Sequence, residues 1–360
     1  MRHEVFNGGA RRAFDGKSPQ LAERAGQWVA AALLQNEKAA AWCGDRGIAI
    51  EKAAQGELVG GAGGFTVPEE IESEIIEYRN SLAVFRQEAR IRLMGSSSLS
   101  VPKRTGALGG YYIGENVALT ESDNAWGNIE HVAKKPAALT RLSSEMWEDS
   151  AADLGAFFVE ELSAIFADME DDAGFNGDGT STYAGISGIC PKFVAGLGGA
   201  SQLAGAVVAT SAHDTFEEID ATDIAALMAA LPERYWTSAK FYVSGYGAAK
   251  CFARIGATVG GWIMTANGLR PMLSFMGFPI VLSPKMPGSG DLSNRVMIVF
   301  GDMRAAVSFG SRKGVSVAVS QNRYFDLDQI GVRGIERYDI NCHGVGDATT
   351  AGPLVALIGN

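Results

Sequence analysis

Cysteine and histidine are scarce in this chain of 360 residues, which has four of each. Cys43, Cys190, Cys251 and Cys342 form no C-x-x-C pair, which excludes a thiol zinc site or a redox motif of that kind. They read as four buried thiols in a reducing compartment. His3, His131, His213 and His343 are scattered without ligand spacing. A basic excess is missing too: 31 Lys and Arg face 41 Asp and Glu, a net charge of −10. A protein that grips nucleic acid by its backbone carries the opposite balance. No run approaches the ~20 apolar residues that span a bilayer. The opening residues, MRHEVFNGGARRAFDG, lack the apolar core of a signal peptide. These absences point to a chain made in a cytosol, without a membrane partner.

Familiar catalytic signatures are absent as well. There is no G-x-S-x-G, H-E-x-x-H or Walker A sequence. Gly174, Gly177 and Gly179 imitate a phosphate loop, but they follow an acidic helix end, where the electrostatics oppose an anion. The acidic run 168–178 lacks the calcium-loop register, because Ala173 stands where the loop glycine belongs. No catalytic residue, cofactor or metal is expected.

The composition that remains is globular, with 47% hydrophobic and 20% charged residues. The most unusual segment is 105–127, TGALGGYYIGENVALTESDNAWG. It is glycine-rich and acidic, has no basic residue, and lies between two strand-like stretches, Ser98–Arg104 and 128–142. A structureless excursion of this length in a compact protein is uncommon and usually functional. Ordering it costs roughly 1–2 kcal/mol per residue in backbone entropy. Offsetting that takes on the order of 1,000 Å² of apolar burial. The segment's large apolar residues, Leu108, Tyr111, Tyr112, Ile113, Val117, Leu119 and Trp126, are too few to supply it alone. Either it stays disordered or it lies on something large, such as a second copy of the chain.

Elsewhere the pattern alternates helix and strand. Residues 1–60 read as an appendage with an alanine-rich helix, followed by the glycine joint 60–64. Pro68, Glu69 and Glu70 suit a helix start. A strand-like run to Met94 alternates Arg86, Arg90 and Arg92 with apolar residues. The strongest helix is predicted over 142–172, with Trp147, Ala151, Leu154, Phe158, Leu162, Ile165 and Met169 on one stripe. It ends in Glu170, Asp171 and Asp172, close to its own negative pole. Solvation or a basic partner on a neighbouring subunit would relieve them. Phe175–Thr180 is then a tight turn. A further helix spans 222–231 before Pro232, a strand 241–244, and a helix 248–254. Residues 256–275 read as an exposed tip, and 278–282 and 296–300 as buried strands. The tail is β: Ile330, Val332, Tyr338, Ile340 and Cys342 share one face, and Gln329, Arg333, Arg337 and Asp339 the other.

The order of several short motifs carries a resemblance. Gly64–Glu69 (GFTVPE) opens the ordered part. Gly114-Glu115 lies in the long loop, with Glu121-Ser122-Asp123 after it. Ser143-Ser144-Glu145 and Glu148-Asp149-Ser150 lead into the long helix. Glu170-Asp171, Phe175–Thr180 and Gly185-Ile186 follow it. From about Gly64 onward the chain resembles the major capsid proteins of tailed bacteriophages, a fold shared with encapsulins.

The resemblance implies an α+β fold with an N-terminal arm, an extended β-hairpin loop, a peripheral domain on a long spine helix, and an axial domain. Carried over, these are 64–97, 98–141, 142–190 with 303–333, and 191–302 with 334–360. Residues 1–63 would be a scaffold-like or cleaved segment. The implied function is self-assembly into hexamers and pentamers of an icosahedral shell around double-stranded DNA, without sequence-specific binding. Portal, scaffold or maturation protease, and decoration proteins are the implied partners. The implied location is the virion, assembled in the bacterial host cytoplasm. Where some relatives weld the shell through a loop lysine, Leu119 stands here, and no lysine lies between Lys103 and Lys134. The expected inter-subunit contacts are Glu115, Leu119, Glu121, Asp123 and Trp126 of the loop, docking on Arg86, Arg90 and Arg92 or on Arg333 and Arg337. An encapsulin-like or gene-transfer-particle shell is the alternative, and a soluble α+β enzyme the reading from another class.

Overall fold

A computed structural model describes residues 27, 31, 37–46, 83–104, 112, 126–143, 151–260, 262–267 and 270–360. The expected N-terminal helix start at Pro68 and all of the acidic loop except Tyr112 and its last residues lie outside them. In chain order the elements begin with helices α1 (Glu37–Asp45) and α2 (Val84–Glu88). Strands β1 (Arg90–Leu93), β2 (Ser98–Arg104), β3 (Trp126–Val132) and β4 (Ala137–Ser143) follow, then α3 (Ala151–Asn176) and α4 (Ile189–Val194). Next come β5 (Ala206–Val208), α5 (Ala221–Ala230), β6 (Lys240–Val243) and a helical stretch built from Gly245–Gly247, the π turn Ala248–Phe252 and Ala253–Val259. The C-terminal part contains β7 (Trp262–Asn267), β8 (Arg270–Phe275), β9 (Phe278–Leu282), β10 (Val296–Gly301), the short helix α6 (Met303–Ala306), β11 (Val307–Tyr324), β12 (Gln329–Cys342) and β13 (Leu354–Ile358). No helix among the described residues is long and apolar enough to cross a membrane.

The chain divides into two compact units. The first takes Met1–Glu88, Lys135–Phe175 and Lys313–Arg337; the second takes Ala89–Lys134, Asn176–Arg312 and Tyr338–Asn360. In the first, β4 pairs antiparallel with β12, with Leu139 opposite Arg333 and Arg141 opposite Gly331. Helix α3 covers one face of β12: a Cβ on Gly334 would meet the Phe166 ring at 2.9 Å and Leu162 at 3.2 Å. Over 329–337, the part of β12 in this unit, the even-numbered residues therefore face the helix and the odd-numbered ones face away.

The second unit is built on a seven-stranded sheet of order β5-β13-β10-β6-β9-β8-β7. Strands β10 (VMIVFG) and β13 (LVALI) are central and buried along their whole length. Both faces being covered, they read as continuous apolar runs rather than alternating ones. Phe241 stacks on Phe300 at 4.3 Å, with Phe252, Phe275 and Phe278 edge-on around it. Gly301 ends β10 at φ +135°, and an added Cβ would lie 2.1 Å from the Pro353 carbonyl oxygen, so only glycine fits.

Several sequence expectations hold. Strand β2 has the expected bounds, α5 and β6 lie within a residue of expectation, and all four cysteines are buried free thiols. The alternation of β12 also holds. Others need correction. Arg86 stands in a helical turn and not in a strand. The expected strand 128–142 is two strands, β3 and β4, broken before Pro136. The long helix starts later than 142, whose residue belongs to β4, and runs on to Asn176. Its buried stripe is rotated, with Leu162, Ser163, Phe166, Ala167, Glu170 and Asp171 inside, and Ile165 and Met169 exposed. The expected tip 256–275 is the end of a helix followed by the β7–β8 hairpin; Phe275 at its base is buried, and the exposure of 261–272 lies outside what is described. Strand β9 is only half-buried.

Candidate functional site

The first unit buries an ion cluster at the end of α3. Glu170 and Glu336 are 0% exposed, Asp171 3% and Arg86 4%. The Arg86 Nε donates to Glu170 Oε2 at 2.8 Å, and its Nη2 reaches both Glu170 Oε1 and, at 3.1 Å, Glu336 Oε1. Such bidentate, charge-assisted bonds are the strong class of hydrogen bond. Asp171 does different work. Its carboxylate accepts the backbone N–H groups of Val84 at 3.1 Å and Phe85 at 2.8 Å, so it caps the start of α2 from 86 residues away or more. Burial pushes its carboxyl up to about 6, against the pull of those two hydrogen bonds, and the neighbouring Glu170 and Asp168 add to the rise. Phe85 packs edge-on against Phe175 at 5.3 Å and lies over Gly174, where a Cβ would sit 2.5 Å from its ring.

This overturns both readings of the acidic helix end. Glu170 and Asp171 are not solvated, and their partners come from their own chain. Arg86, one of the expected docking cations, is engaged by Glu170 and Glu336.

A second arrangement lies on the far side of β12 from α3. Arg141 and Arg333 are exposed, Arg337 is half-buried, and none of the three makes a hydrogen bond or ion pair among the described residues. Leu139, directly opposite Arg333, is exposed as well. Sequence inspection found Arg333 and Arg337. It missed Arg141, whose place beside them depends on the β4–β12 register.

The second unit carries the ribbon that brackets the acidic segment. Strands β2 and β3 pair antiparallel from Ser98 opposite Val132 to Arg104 opposite Trp126. Its two faces differ sharply. Ile129 and His131 are buried with Leu99, Val101 and Lys103 half-buried beside them, whereas Ser98, Ser100, Pro102, Asn128 and Glu130 are exposed. Trp126, at the loop end, is 65% exposed. The ribbon's root is pinned by polar bonds. His131 Nδ1 lies 3.2 Å from Asp339 Oδ2 and its Nε2 lies 3.0 Å from Ser308 Oγ. The Arg92 Nε donates to the same Oγ at 3.0 Å, and the Val132 N–H to the same Oδ2 at 3.0 Å. One assignment satisfies the set: Nδ1–H donates to Asp339, the Ser308 hydroxyl donates to Nε2, and its oxygen accepts from Arg92.

The Ser308–His131–Asp339 order imitates a nucleophilic triad. However, Ser308 and His131 are fully buried, and the serine oxygen is already held by a guanidinium. It is an anchor for the ribbon. Nearby, Lys103 Nζ donates to the His343 carbonyl at 2.5 Å, and Asn341 Nδ2 to the Glu130 carbonyl at 3.1 Å. Burial pulls His343 down to about 4, helped by the charges of Lys103 and Arg92, so it is neutral at neutral pH.

The remaining expected contacts divide. Arg90 is exposed on β1, and Arg92 is half-buried and bonded to Ser308. Glu115, Leu119, Glu121 and Asp123 lie outside the described residues. Strand β1 is an edge strand paired parallel to β11, and it exposes Ile91 and, at 84%, Leu93.

Two features bear on the enzyme reading. His213, Asp220 and Asp223 hold their ligand atoms within 4.8 Å of one another. Those atoms are engaged in the capping box of α5: Asp220 accepts from Thr222 and Asp223, and Asp223 from Thr210, His213 and Asp220. Burial alone would raise Asp223, but these hydrogen bonds outweigh it and hold it at about 2. A cavity of about 430 Å³ opens beside α5, lined by Ile224, Met228, Leu231, Trp236 and Phe275 among others. Among the described residues of its lining Glu233 is the one charged side chain, and none is a Ser, Thr, Cys, Lys or His nucleophile.

Comparison with known proteins places these features in a family. Residues 63–342 match the family model described as the Phage capsid family. The major capsid protein of Klebsiella oxytoca phage phiKO2 is 25% identical over 121 residues, 33% of this chain. That match spans 28% of the relative's length. Among solved structures, the capsid of a native GTA particle superposes with a TM-score of 0.56 at 18% identity, covering 86% of this chain and 96% of that one. A chain of Mycobacterium phage Adephagia superposes at 0.55 and 15% identity, covering 77% and 90%. Microbacterium phage Oxtober96 gives 0.53 and 15%, over 88% and 99%.

Proposed function

The chain belongs to the phage capsid family, and we propose that it is the major structural subunit of an icosahedral shell that assembles from hexamers and pentamers around double-stranded DNA. The observation that carries this reading is the extent of the likeness: 280 consecutive positions in the family match, 63–342, and a fold shared with solved capsids over nine tenths or more of their length. The family is structural rather than catalytic. In this reading the segment beyond Arg104 and Trp126 is the extended loop, and the β2–β3 ribbon is its rigid stem. The root bonds at His131 and Asp339 fix the direction in which the stem leaves its unit. Without a lysine between Lys103 and Lys134, the loop holds a neighbour by packing, main-chain pairing and charge, with no lysine-derived isopeptide from this segment. Portal, scaffold, maturation protease and decoration proteins are the expected partners, and the host cytoplasm the expected place of assembly.

The test is to express the chain alone and image it by electron microscopy. Closed shells or capsomer rings are expected, and a monodisperse monomer would overturn the reading. A gene-transfer-particle shell has its own support in the likeness to the GTA capsids. The DNA inside purified particles separates the two: one repeated genome, or a sample of host fragments.

A further inference from the structure

The cavity beside α5 has a construction that the shell reading does not use. Ala221, Ala225 and Ala229 recur every four residues along α5, so one row of the helix carries almost no side-chain bulk. The hollow beside that row is about 430 Å³, in the size range that holds small molecules. Ile224, Leu231, Ile255 and Phe275 give it a buried apolar lining, and Trp236 and Met276 are its exposed members. The indole is held in place. Its N–H donates to the Leu231 carbonyl at 3.1 Å, and its ring meets Phe278 in a T-shaped contact at 5.8 Å.

The charges around this hollow have one sign. Glu233 is exposed and makes no hydrogen bond or ion pair among the described residues. No Lys, Arg or His stands among the described lining residues. Helix α5 has no basic residue in its last turn, and Met228, Ala229 and Leu231 from that end line the cavity, so the negative pole of the helix adds to the carboxylate. Glu233 and Trp236 stand three apart in the 3-10 helix Glu233–Ser238, a spacing that stacks side chains one above the other. A carboxylate beside an aromatic ring suits an ammonium. We propose that this cavity binds a small apolar amine in its protonated form, with the hydrocarbon part against Ile224, Met228 and Phe275 and the ammonium at Glu233 and Trp236. Met228 and Met276, unbranched and adaptable, fit the wall to the ligand. A carboxylate ligand would meet Glu233 and the helix pole with its own sign. The proposal is independent of the shell reading, because every residue in it belongs to the second unit of one chain.

Isothermal titration calorimetry on the purified full chain tests this with three probes of similar skeleton: phenethylamine, phenethyl alcohol and phenylacetate. The amine should bind about tenfold more tightly than the alcohol, and phenylacetate should not bind. Glu233→Gln should weaken the amine about threefold to fivefold and leave the alcohol within about twofold. Ala225→Leu fills the hollow with a good helix former and should weaken both by about tenfold or more. Circular dichroism and thermal melting confirm that each variant folds, and Ala229→Leu replaces Ala225→Leu if the latter misfolds. No binding of the amine at millimolar concentration overturns the proposal. So does equal binding of amine and alcohol, or amine binding that the filling variant leaves unchanged. The titration is repeated on whatever assembled form the chain makes. Retained binding supports the site, and binding lost there assigns the cavity to a neighbouring copy and overturns it. Electron microscopy decides the shell reading separately, so either can fail without the other.

Discussion

The two units each have a buried centre, and the two centres are made of opposite materials. In the second unit, Phe241, Phe300 and the strands β10 and β13 pack without a charge among them. In the first, the end of α3 buries Glu170, Asp171 and Glu336 around one guanidinium. The apolar centre is stabilised by area removed from water, which is non-directional and tolerates small displacements. The charged centre works only when donor and acceptor meet. Its desolvation cost is several kcal/mol per ion, which offsets much of the attraction between the charges. The difference teaches where each part is free to vary: the sheet core in detail but not in volume, the helix end in neither partner alone.

The comparison is tested most severely by removing one member of each centre. Arg86→Met should cost about 3–5 kcal/mol in urea unfolding, because it strands buried carboxylates. Phe241→Ala should cost a similar 3–5 kcal/mol by leaving a cavity. The two then part company. Adding Glu170→Leu and Glu336→Leu to Arg86→Met should recover most of the loss, while no polar change near Phe241 should help. If the triple variant is less stable than Arg86→Met, the cluster is a net source of stability and the contrast fails.

Acidity gives the next effect. The folded-state value of Asp171, about 6, lies above its ordinary 3.8, so the folded chain takes up this proton more readily than the unfolded one. Its contribution is fully present below about pH 4 and is lost as pH rises through 6. Stability should fall over that window by on the order of 2–3 kcal/mol relative to Asp171→Asn, which has no proton to take up. Phe241→Ala should keep the wild-type slope. A wild type and an Asp171→Asn variant with parallel pH profiles would contradict the assignment. The smallest effect belongs to the sheet unit's helix cap. Asp220→Ala should cost about 1 kcal/mol in thermal melting, because it frees the N–H groups of Thr222 and Asp223.

How much of this could be read from the sequence followed from how local each signal is. The bounds of β2, the place of α5 before Pro232 and the two faces of β12 depend on neighbours within a few residues. The order of short motifs was enough to suggest the family. The helix end was misread because the stripe was drawn through apolar residues alone. Glu170 and Asp171 occupy buried positions that the period alone would have placed, had polar residues been allowed there. What made them tolerable, Arg86, is 84 residues away and leaves no local trace. His131, Ser308 and Asp339 were invisible for the same reason, being 177 and 208 residues apart along the two bonds. Arg141 was missed because its neighbour Arg333 is fixed by register, which sequence alone did not supply.

The Arg86 cluster also sets a timetable. Its partners follow it by 84 residues for Glu170 and by 250 for Glu336. A ribosome adding about 5–20 residues per second delivers the first roughly 4–17 s after Arg86 and the second roughly 12–50 s after it. Between those moments the chain holds a guanidinium with half of its final company, and the ribbon has already been made. The segment that carries Arg86 therefore settles late, after much of the polypeptide has emerged. A helper that bound the newly made N-terminal part would have roughly 12–50 s in which to act before Glu336 is made and this lock could close behind it.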